Sequence, residues 1–295
     1  MPRTAANAQG VELAYDSFGS PGDPLLLLVM GLGAQMTAWP EKLCETIAAR
    51  GFRVVRFDNR DAGLSTFMDA GPQPDLGAIL HGDPSSAPYL LADMALDAVS
   101  LLDALGVDRA HVVGASMGGM IVQQLAVDHP ERLLSLCSIM SLPGDRVSGK
   151  STPEAGAVLM RARPENREEA IAVGVAASQV IGSPGYPEDP EELRERVAAA
   201  LERQSRGDGF GRQFAAIVAS PDRTPGLREL DLPTLVIHGA DDPLVDRSGG
   251  EATAKAVPGA ELLVIPGMGH NLPEPLWPEI ADAIAANARR AQAPA

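Results

Sequence analysis

Apolar-rich runs of strand length recur along this chain and alternate with stretches of helical spacing. Residues 11–18 alternate polar and apolar side chains, which is typical of a half-buried edge strand. Strands that alternate with helices predict an α/β fold with a mostly parallel, doubly wound sheet. The other predicted strands cover residues 25–30, 52–57, 110–113, 133–140, 233–238 and 261–265, and helices are predicted over residues 40–50, 91–106, 120–128 and 279–290.

Residues 145–225 interrupt this pattern because they contain no convincing strand. In open α/β sheets, ligands bind outside the carboxyl ends of the strands, so we expect an inserted helical cap over that edge. The predicted domains are a core of residues 1–144 and 226–295 and a cap of residues 145–225. Charged amphipathic helices are predicted within the cap over residues 165–180, 190–204 and 210–219, a long loop over residues 72–88, and a frayed tail over residues 291–295.

The sequence Gly114-Ala-Ser116-Met-Gly118 lies between a predicted strand and a predicted helix. A serine at such a turn is typical of the nucleophile elbow of serine hydrolases. Larger side chains two residues before or after the serine would collide where the strand folds back onto the helix. The turn lifts the hydroxyl into a cleft that faces the amino end of the helix, where negative charge is stabilised. We therefore predict that Ser116 is a nucleophile.

Composition excludes several classes of function. The chain has 295 residues, 45% hydrophobic and 21% charged, with a net charge of −15, which argues against nucleic acid or an anionic membrane as a partner. Cys44 and Cys137 lie far apart with no metal-binding spacing, so we expect buried free thiols in a reducing, cytoplasmic setting. Residues 1–7 show no signal-peptide core. With no phosphate loop, nucleotide fingerprint or metal cluster, we predict neither a cofactor nor a metal.

A serine hydroxyl needs a base to take its proton, and the base is usually a histidine oriented by a carboxylate. His270 lies in a glycine-rich loop, Pro266-Gly-Met-Gly-His270, directly after the last predicted strand. Such a loop can carry an imidazole over the top of the sheet, so we favour His270 as the base. The other histidines have structural explanations by position: His81, His111, His129 and His238.

The orienting acid is expected between Ser116 and His270 in chain order. The loop after the strand at residues 233–238 offers three carboxylates, Asp241, Asp242 and Asp246. At least two of these must be ordinary turn or helix-capping residues. The residues alone leave the choice open.

The chain resembles the α/β-hydrolase superfamily along nearly its whole length, and within it the bacterial esterases related to aclacinomycin methylesterase. In such families the acid stands three positions after the glycine that ends the strand, which implies Asp242. The resemblance also implies an oxyanion hole made by the backbone N–H groups of Leu32 and Met117. Many relatives carry His-Gly before the first of these donors, where this chain has Met30-Gly31. The matching stretches are residues 27–33, 57–65, 111–118, 233–239 and 265–270.

The resemblance implies a serine-dependent carboxylic ester hydrolase that acts on a small-molecule ester through an acyl-enzyme. Lactonase, perhydrolase (cofactor-free haloperoxidase), carbon–carbon bond hydrolase and thioesterase activities share the same three residues and stay open. A dehalogenase of this fold needs an aspartate where Ser116 stands. A non-catalytic ligand receptor is the alternative from a different class. The charged stretch Asp58–Ser65 is interpreted as structural, since buried charges are usually paired.

Overall fold

The computed structural model describes residues 2–71, 73–161, 164–204 and 209–291. Seven strands form one sheet in the order β1-β3-β2-β4-β5-β6-β7. Only the edge strand β1 runs antiparallel to its neighbour, and the other five pairings are parallel. The α/β fold with a mostly parallel sheet is therefore confirmed. The strands are β1 (Tyr15–Phe18), β2 (Leu25–Val29), β3 (Arg53–Phe57), β4 (Ala110–Ala115), β5 (Leu133–Ile139), β6 (Thr234–Gly239) and β7 (Glu261–Ile265).

Eleven α-helices are present in the described ranges. They are α1 (Glu41–Ala48), α2 (Leu76–Leu80), α3 (Leu91–Ala104), α4 (Met117–Asp128), α5 (Pro153–Leu159), α6 (Arg167–Ile181), α7 (Pro190–Arg203), α8 (Phe210–Ala219), α9 (Thr224–Leu227), α10 (Ser248–Ala256) and α11 (Trp277–Arg290). Short 3-10 turns cover Met36–Ala38, Pro84–Ser86, Pro130–Arg132 and Glu274–Leu276. None of these helices is both long and apolar enough to cross a bilayer.

Two apolar cores lie on opposite faces of the sheet, because side chains of a strand point alternately to its two faces. In β2, Leu27 packs into the core that contains α3 and α4, while Leu26 and Leu28 pack into the core that contains α1 and α11. All five side chains of β2 are buried. This explains why the run is continuously apolar rather than alternating.

The segment between β5 and β6 contains α5 to α9 and, within its described residues, no strand. Two ion pairs, one partly buried and one fully buried, attach two of these helices to the loop after β3. Arg203 of α7 lies 2.8 Å from Asp58, and Arg212 of α8 lies 2.6 Å from Asp61. The charged stretch Asp58–Ser65 is therefore structural, as interpreted from the sequence, and two of its carboxylates pair with arginines of α7 and α8.

Several local predictions were wrong. The loop predicted over residues 72–88 contains α2, which begins after Asp75, whose side chain accepts a hydrogen bond from the Ala78 N–H at 3.0 Å. That carboxylate caps the helix, and the Gly- and Pro-rich surroundings concealed its signal. The edge strand starts at Tyr15 rather than residue 11, and α5 and α9 were not predicted. Pro72 and residues 292–295 of the predicted tail lie outside the described residues.

Candidate active site

Ser116 stands between the end of β4 and the start of α4 with φ 56° and ψ −121°. This backbone conformation is strained for a residue with a side chain, and such strain persists only where the surrounding structure enforces it. A Cβ atom on Gly114 would lie 2.1 Å from the Gly118 carbonyl oxygen, and one on Gly118 would lie 2.1 Å from the Val29 carbonyl oxygen. The small residues expected on both sides of the serine are therefore required by the close packing of β4, α4 and β2.

Three side chains from separate loops form one chain of hydrogen bonds. The Ser116 hydroxyl lies 2.9 Å from His270 Nε2, and His270 Nδ1 lies 2.7 Å from Asp242 Oδ2. An ionised carboxylate only accepts, so Nδ1 carries the proton and Nε2 is left to accept from the serine. Asp242 and His270 are nearly fully buried, while Ser116 is partly exposed. The buried pair thus directs an unprotonated ring nitrogen at an accessible hydroxyl.

The three carboxylates of the loop after β6 have separate partners. Asp242 also accepts from the Leu244 and Val245 N–H groups, both at 2.9 Å, through its other oxygen. Asp241 is exposed and accepts from the Gly267 N–H at 2.8 Å. Asp246 accepts from the Ser248 N–H at the start of α10. Of the three candidates for the acid, the structure brings Asp242 to His270.

His238 is the second imidazole near Asp242. It is fully buried at the end of β6, and its Nε2–H donates to the Val245 carbonyl oxygen at 2.8 Å. Burial lowers the pKa of His238, which keeps the ring neutral. Its Nε2 lies 3.6 Å from Asp242 Oδ2, too far for a hydrogen bond. His238 therefore supports the loop that carries Asp242, as its place in a buried strand indicated.

The loop that carries His270 is held by the connection between α6 and α7. The His270 N–H donates to the Ile181 carbonyl oxygen at 2.7 Å, and the Gly269 N–H donates to Ser183 Oγ at 2.8 Å. The Ser183 hydroxyl in turn donates to Asn271 Oδ1 at 2.5 Å. Ser183 was not predicted, because nothing in its local sequence indicates a partner more than eighty residues away.

Leu32 and Met117 both lie close to Ser116. Met117 is the first residue of α4, so its N–H has no acceptor within the helix. Leu32 follows Gly31, where an added Cβ would lie 3.0 Å from Ser116 Cβ. Among the described residues, neither N–H donates to another protein group. Both residues line the same cavity as Ser116 and His270.

That cavity has a volume of about 710 Å³ and is mostly apolar. Cavities of a few hundred to about 1,000 Å³ with a few polar groups are the usual sites for small molecules. Ser116 and His270 lie in its wall, and α5, α6, α7 and α8 each contribute residues. The apolar lining includes Met30, Leu32, Met120, Met140, Leu159, Ile181, Phe214, Ile217, Leu272 and Trp277. Nowhere in the described ranges do three or more His, Cys, Asp or Glu side chains form a group that could hold a metal ion.

The chain belongs to the alpha/beta hydrolase fold family, whose model matches residues 24–274. It is 31% identical to rhodomycin D methylesterase DauP from Streptomyces sp., over 99% of both chains. It is 27% identical to 3-oxoadipate enol-lactonase 2 from Acinetobacter baylyi, over 83% of this chain and 81% of the relative. Among solved structures it is similar to a hydrolase from Pseudomonas aeruginosa, with a TM-score of 0.69, 27% identity, and coverage of 99% and 98% of the two chains.

Proposed function

We propose that this protein is a serine-dependent carboxylic ester hydrolase in which Ser116 is the nucleophile, His270 the general base and Asp242 the acid that orients it. The proposal rests mainly on the continuous hydrogen-bond chain from Asp242 through His270 to the hydroxyl of a strained, accessible serine. This arrangement supplies the parts that acyl transfer requires. Relatives named as a methylesterase and an enol-lactonase support the same class of reaction.

Acylation begins when Ser116 Oγ attacks the ester carbonyl carbon and its proton passes to His270 Nε2. The imidazolium that forms is stabilised by Asp242, whose carboxylate stays ionised. His270 then gives the proton to the leaving alkoxide, so an alcohol departs and an acyl-enzyme remains. Water, deprotonated by His270, then attacks the acyl carbon. The bond to Ser116 Oγ breaks as His270 returns the proton to that oxygen, which releases the acid and restores the serine. No step requires a cofactor or a metal.

Negative charge develops on the carbonyl oxygen, and we assign its stabilisation to the N–H groups of Leu32 and Met117. Both amides are left without a protein acceptor among the described residues, and both residues line the cavity beside Ser116. Met117 also lies at the amino end of α4, where the helix dipole favours negative charge. Removal of one such donor typically costs about 3 kcal/mol of transition-state stabilisation.

We propose residues 145–225 as a helical cap that sets which acyl group fits. Four helices from this segment line a cavity of about 710 Å³, which is far larger than a simple acetyl ester needs. A large apolar acyl group with a small alcohol, such as a methyl ester, suits this volume. The methylesterase relative supports the small alcohol.

Lactone hydrolysis is the second candidate, because the same steps open a cyclic ester and a relative is an enol-lactonase. A series of methyl esters with acyl groups from acetyl to polycyclic aryl, compared with unsubstituted and enol lactones, separates the two. We expect the highest kcat/KM for a bulky methyl ester, with methanol released in equal amount to acid. Ser116→Ala should abolish that release, and methanol release that persists in Ser116→Ala would refute the proposal.

A cytoplasmic location is a further part of the proposal. Cys44 and Cys137 are both free and buried, and burial raises the pKa of the Cys44 thiol to about 12. Unpaired cysteines are usual in reducing compartments. Fractionation of cells that express the protein tests this, and recovery outside the cytoplasm would contradict it.

A further inference from the structure

The loop that carries Leu32 makes a tight turn over residues 31–34. The Ala34 N–H donates to the Gly31 carbonyl oxygen at 3.3 Å, and Gly33 has φ 67°. Positive φ at the third residue of a turn suits a type II turn, which glycine adopts without strain. On one side, Gly31 packs directly against Ser116.

The other side of this turn is held from α8. The Gly33 N–H donates to Gln213 Oε1 at 2.8 Å, and the Gln213 side-chain amide donates to the Arg60 carbonyl oxygen at 2.7 Å. Gln213 is fully buried, so no water competes for either bond. Its neighbour Arg212 pairs with Asp61 in the same loop as Arg60. The Gln213 side-chain amide is thus held by the Arg60 carbonyl oxygen, and its own oxygen holds the Gly33 N–H in place.

We propose that Gln213 is a positioning residue for the oxyanion donor, a role that rests on the proposed function. The Gly33 N–H belongs to the peptide unit that directly follows Leu32. With Gly31 packed against Ser116 and Gly33 bound to Gln213, the Leu32 N–H lies between two fixed points and keeps its direction toward the cavity. Displacement of a reacting group by about 1 Å can cost about 100-fold in rate. A side chain of the segment between β5 and β6 therefore sets the geometry that stabilises the transition state.

The test compares Gln213→Met with Asn287→Leu. Methionine keeps the length of glutamine and removes both hydrogen bonds. Asn287 is equally buried, its amide donates to the Leu136 carbonyl oxygen at 2.9 Å, and it does not line the cavity. Each variant is assayed for kcat and KM on p-nitrophenyl butyrate. Each is also assayed for inhibition by an aryl trifluoromethyl ketone, which adds to a catalytic serine as an anionic hemiketal.

Gln213→Met should lower kcat by about 10- to 100-fold and change KM by less than about threefold. The inhibition constant of the ketone should rise by about the same factor as kcat falls. Asn287→Leu should keep both values near wild type even where its melting temperature falls. A folded Gln213→Met protein with normal kcat and normal ketone inhibition would overturn the positioning role alone, as would equal losses in Asn287→Leu. If Ser116→Ala kept wild-type turnover, the proposed function and this role would both fall.

Gln213→Glu provides a second readout if the methionine variant folds poorly. A protonated carboxyl can accept from Gly33 and donate to Arg60, as the amide does, while a carboxylate can only accept. Burial favours the protonated form. The ratio of kcat for Gln213→Glu to kcat for wild type should therefore rise as the pH falls. A ratio that stays far below one at every pH would contradict the proposal, whereas a ratio near one throughout would mean that the carboxyl stays protonated and replaces the amide.

Discussion

The carbonyl oxygen of Ile181, the last residue of α6, accepts a hydrogen bond of 2.7 Å from the backbone N–H of His270. Two residues further on, Ser183 binds the Gly269 N–H and the Asn271 side chain, which flank the same histidine. A Cβ on Gly269 would lie 2.1 Å from the Gly182 carbonyl oxygen. The segment between β5 and β6, which contributes residues to the cavity wall, therefore also holds the loop of the proposed base.

Ser183→Ala should loosen this loop. The variant removes the acceptor of the Gly269 N–H and the donor to Asn271, so we expect kcat to fall about 10-fold through misplacement of the imidazole. KM should change little, because Ser183 does not line the cavity. Steady-state kinetics on p-nitrophenyl butyrate gives both values.

Ser220→Ala is the matched control for this experiment. Ser220 is equally buried, and its hydroxyl accepts from the Leu91 N–H at 2.9 Å and donates to the Ala216 carbonyl oxygen at 2.7 Å. Both variants should lose a similar amount of stability, about 1–3 kcal/mol. If Ser220→Ala loses as much kcat as Ser183→Ala, the effect is general and Ser183 has no special role.

Asp242→Asn should lower kcat by about 10⁴-fold with KM nearly unchanged, because an amide would favour the wrong tautomer of His270. Asp241→Asn should stay within about fivefold of wild type, since asparagine keeps an acceptor for the Gly267 N–H and the site is exposed. Both variants are assayed beside their melting curves. If Asp241→Asn were folded but inactive while Asp242→Asn stayed active, the acid would be Asp241 and our assignment would be wrong.

The parts of this molecule that sequence predicts well are those governed by local pattern. β2 is apolar throughout because helices cover both of its faces, so the apolar run Leu25–Val29 predicts a buried strand. The turn at Ser116 is equally predictable from sequence, because glycine is required at positions 114 and 118, where there is no room for a Cβ. His270 and Asp242 could be proposed from chain order and resemblance, and the structure brings them together.

The parts that sequence misses depend on contacts between distant residues. Gln213 and Gly33 are 180 positions apart, and neither lies in a motif that identifies the other. The helix α5 is short. Its start is marked by Thr152, whose side chain accepts from the Ala155 N–H, and by the proline and glutamate that follow. Such start signals are weak when the helix has few apolar residues to pack.

Leu159→Glu should alter substrate binding more than folding. Leu159 lies on α5 and lines the cavity, so a carboxylate there would be desolvated by an apolar acyl group. We expect KM for a bulky methyl ester to rise about 10-fold or more, with a smaller change for an acetyl ester. Leu96→Glu is the control, since Leu96 is exposed on α3 away from the cavity. If wild type, Leu159→Glu and Leu96→Glu had equal KM values for the bulky methyl ester, the proposed role of the cap in substrate binding would be wrong.

His111 should contribute to loss of stability in acid. It is buried in β4 against Phe52, and burial lowers its pKa from 6.5 to about 4. Between these values the unfolded chain binds a proton that the folded protein does not, so stability falls as pH drops from about 6.5 to about 4, by about 2–3 kcal/mol. His111→Gln should show a shallower decline in urea midpoints across this window. A decline as steep as in wild type would exclude His111 as its source.

Covalent labelling tests directly whether Ser116 is the nucleophile. The protein is treated with a fluorophosphonate, digested, and analysed by peptide mass spectrometry, in parallel with Ser116→Ala and Asp242→Asn. We expect one labelled peptide carrying the phosphonate on Ser116, slow labelling in Asp242→Asn, and no label in Ser116→Ala. Label on another serine, or undiminished labelling of a folded Ser116→Ala protein, would show that Ser116 is not the nucleophile.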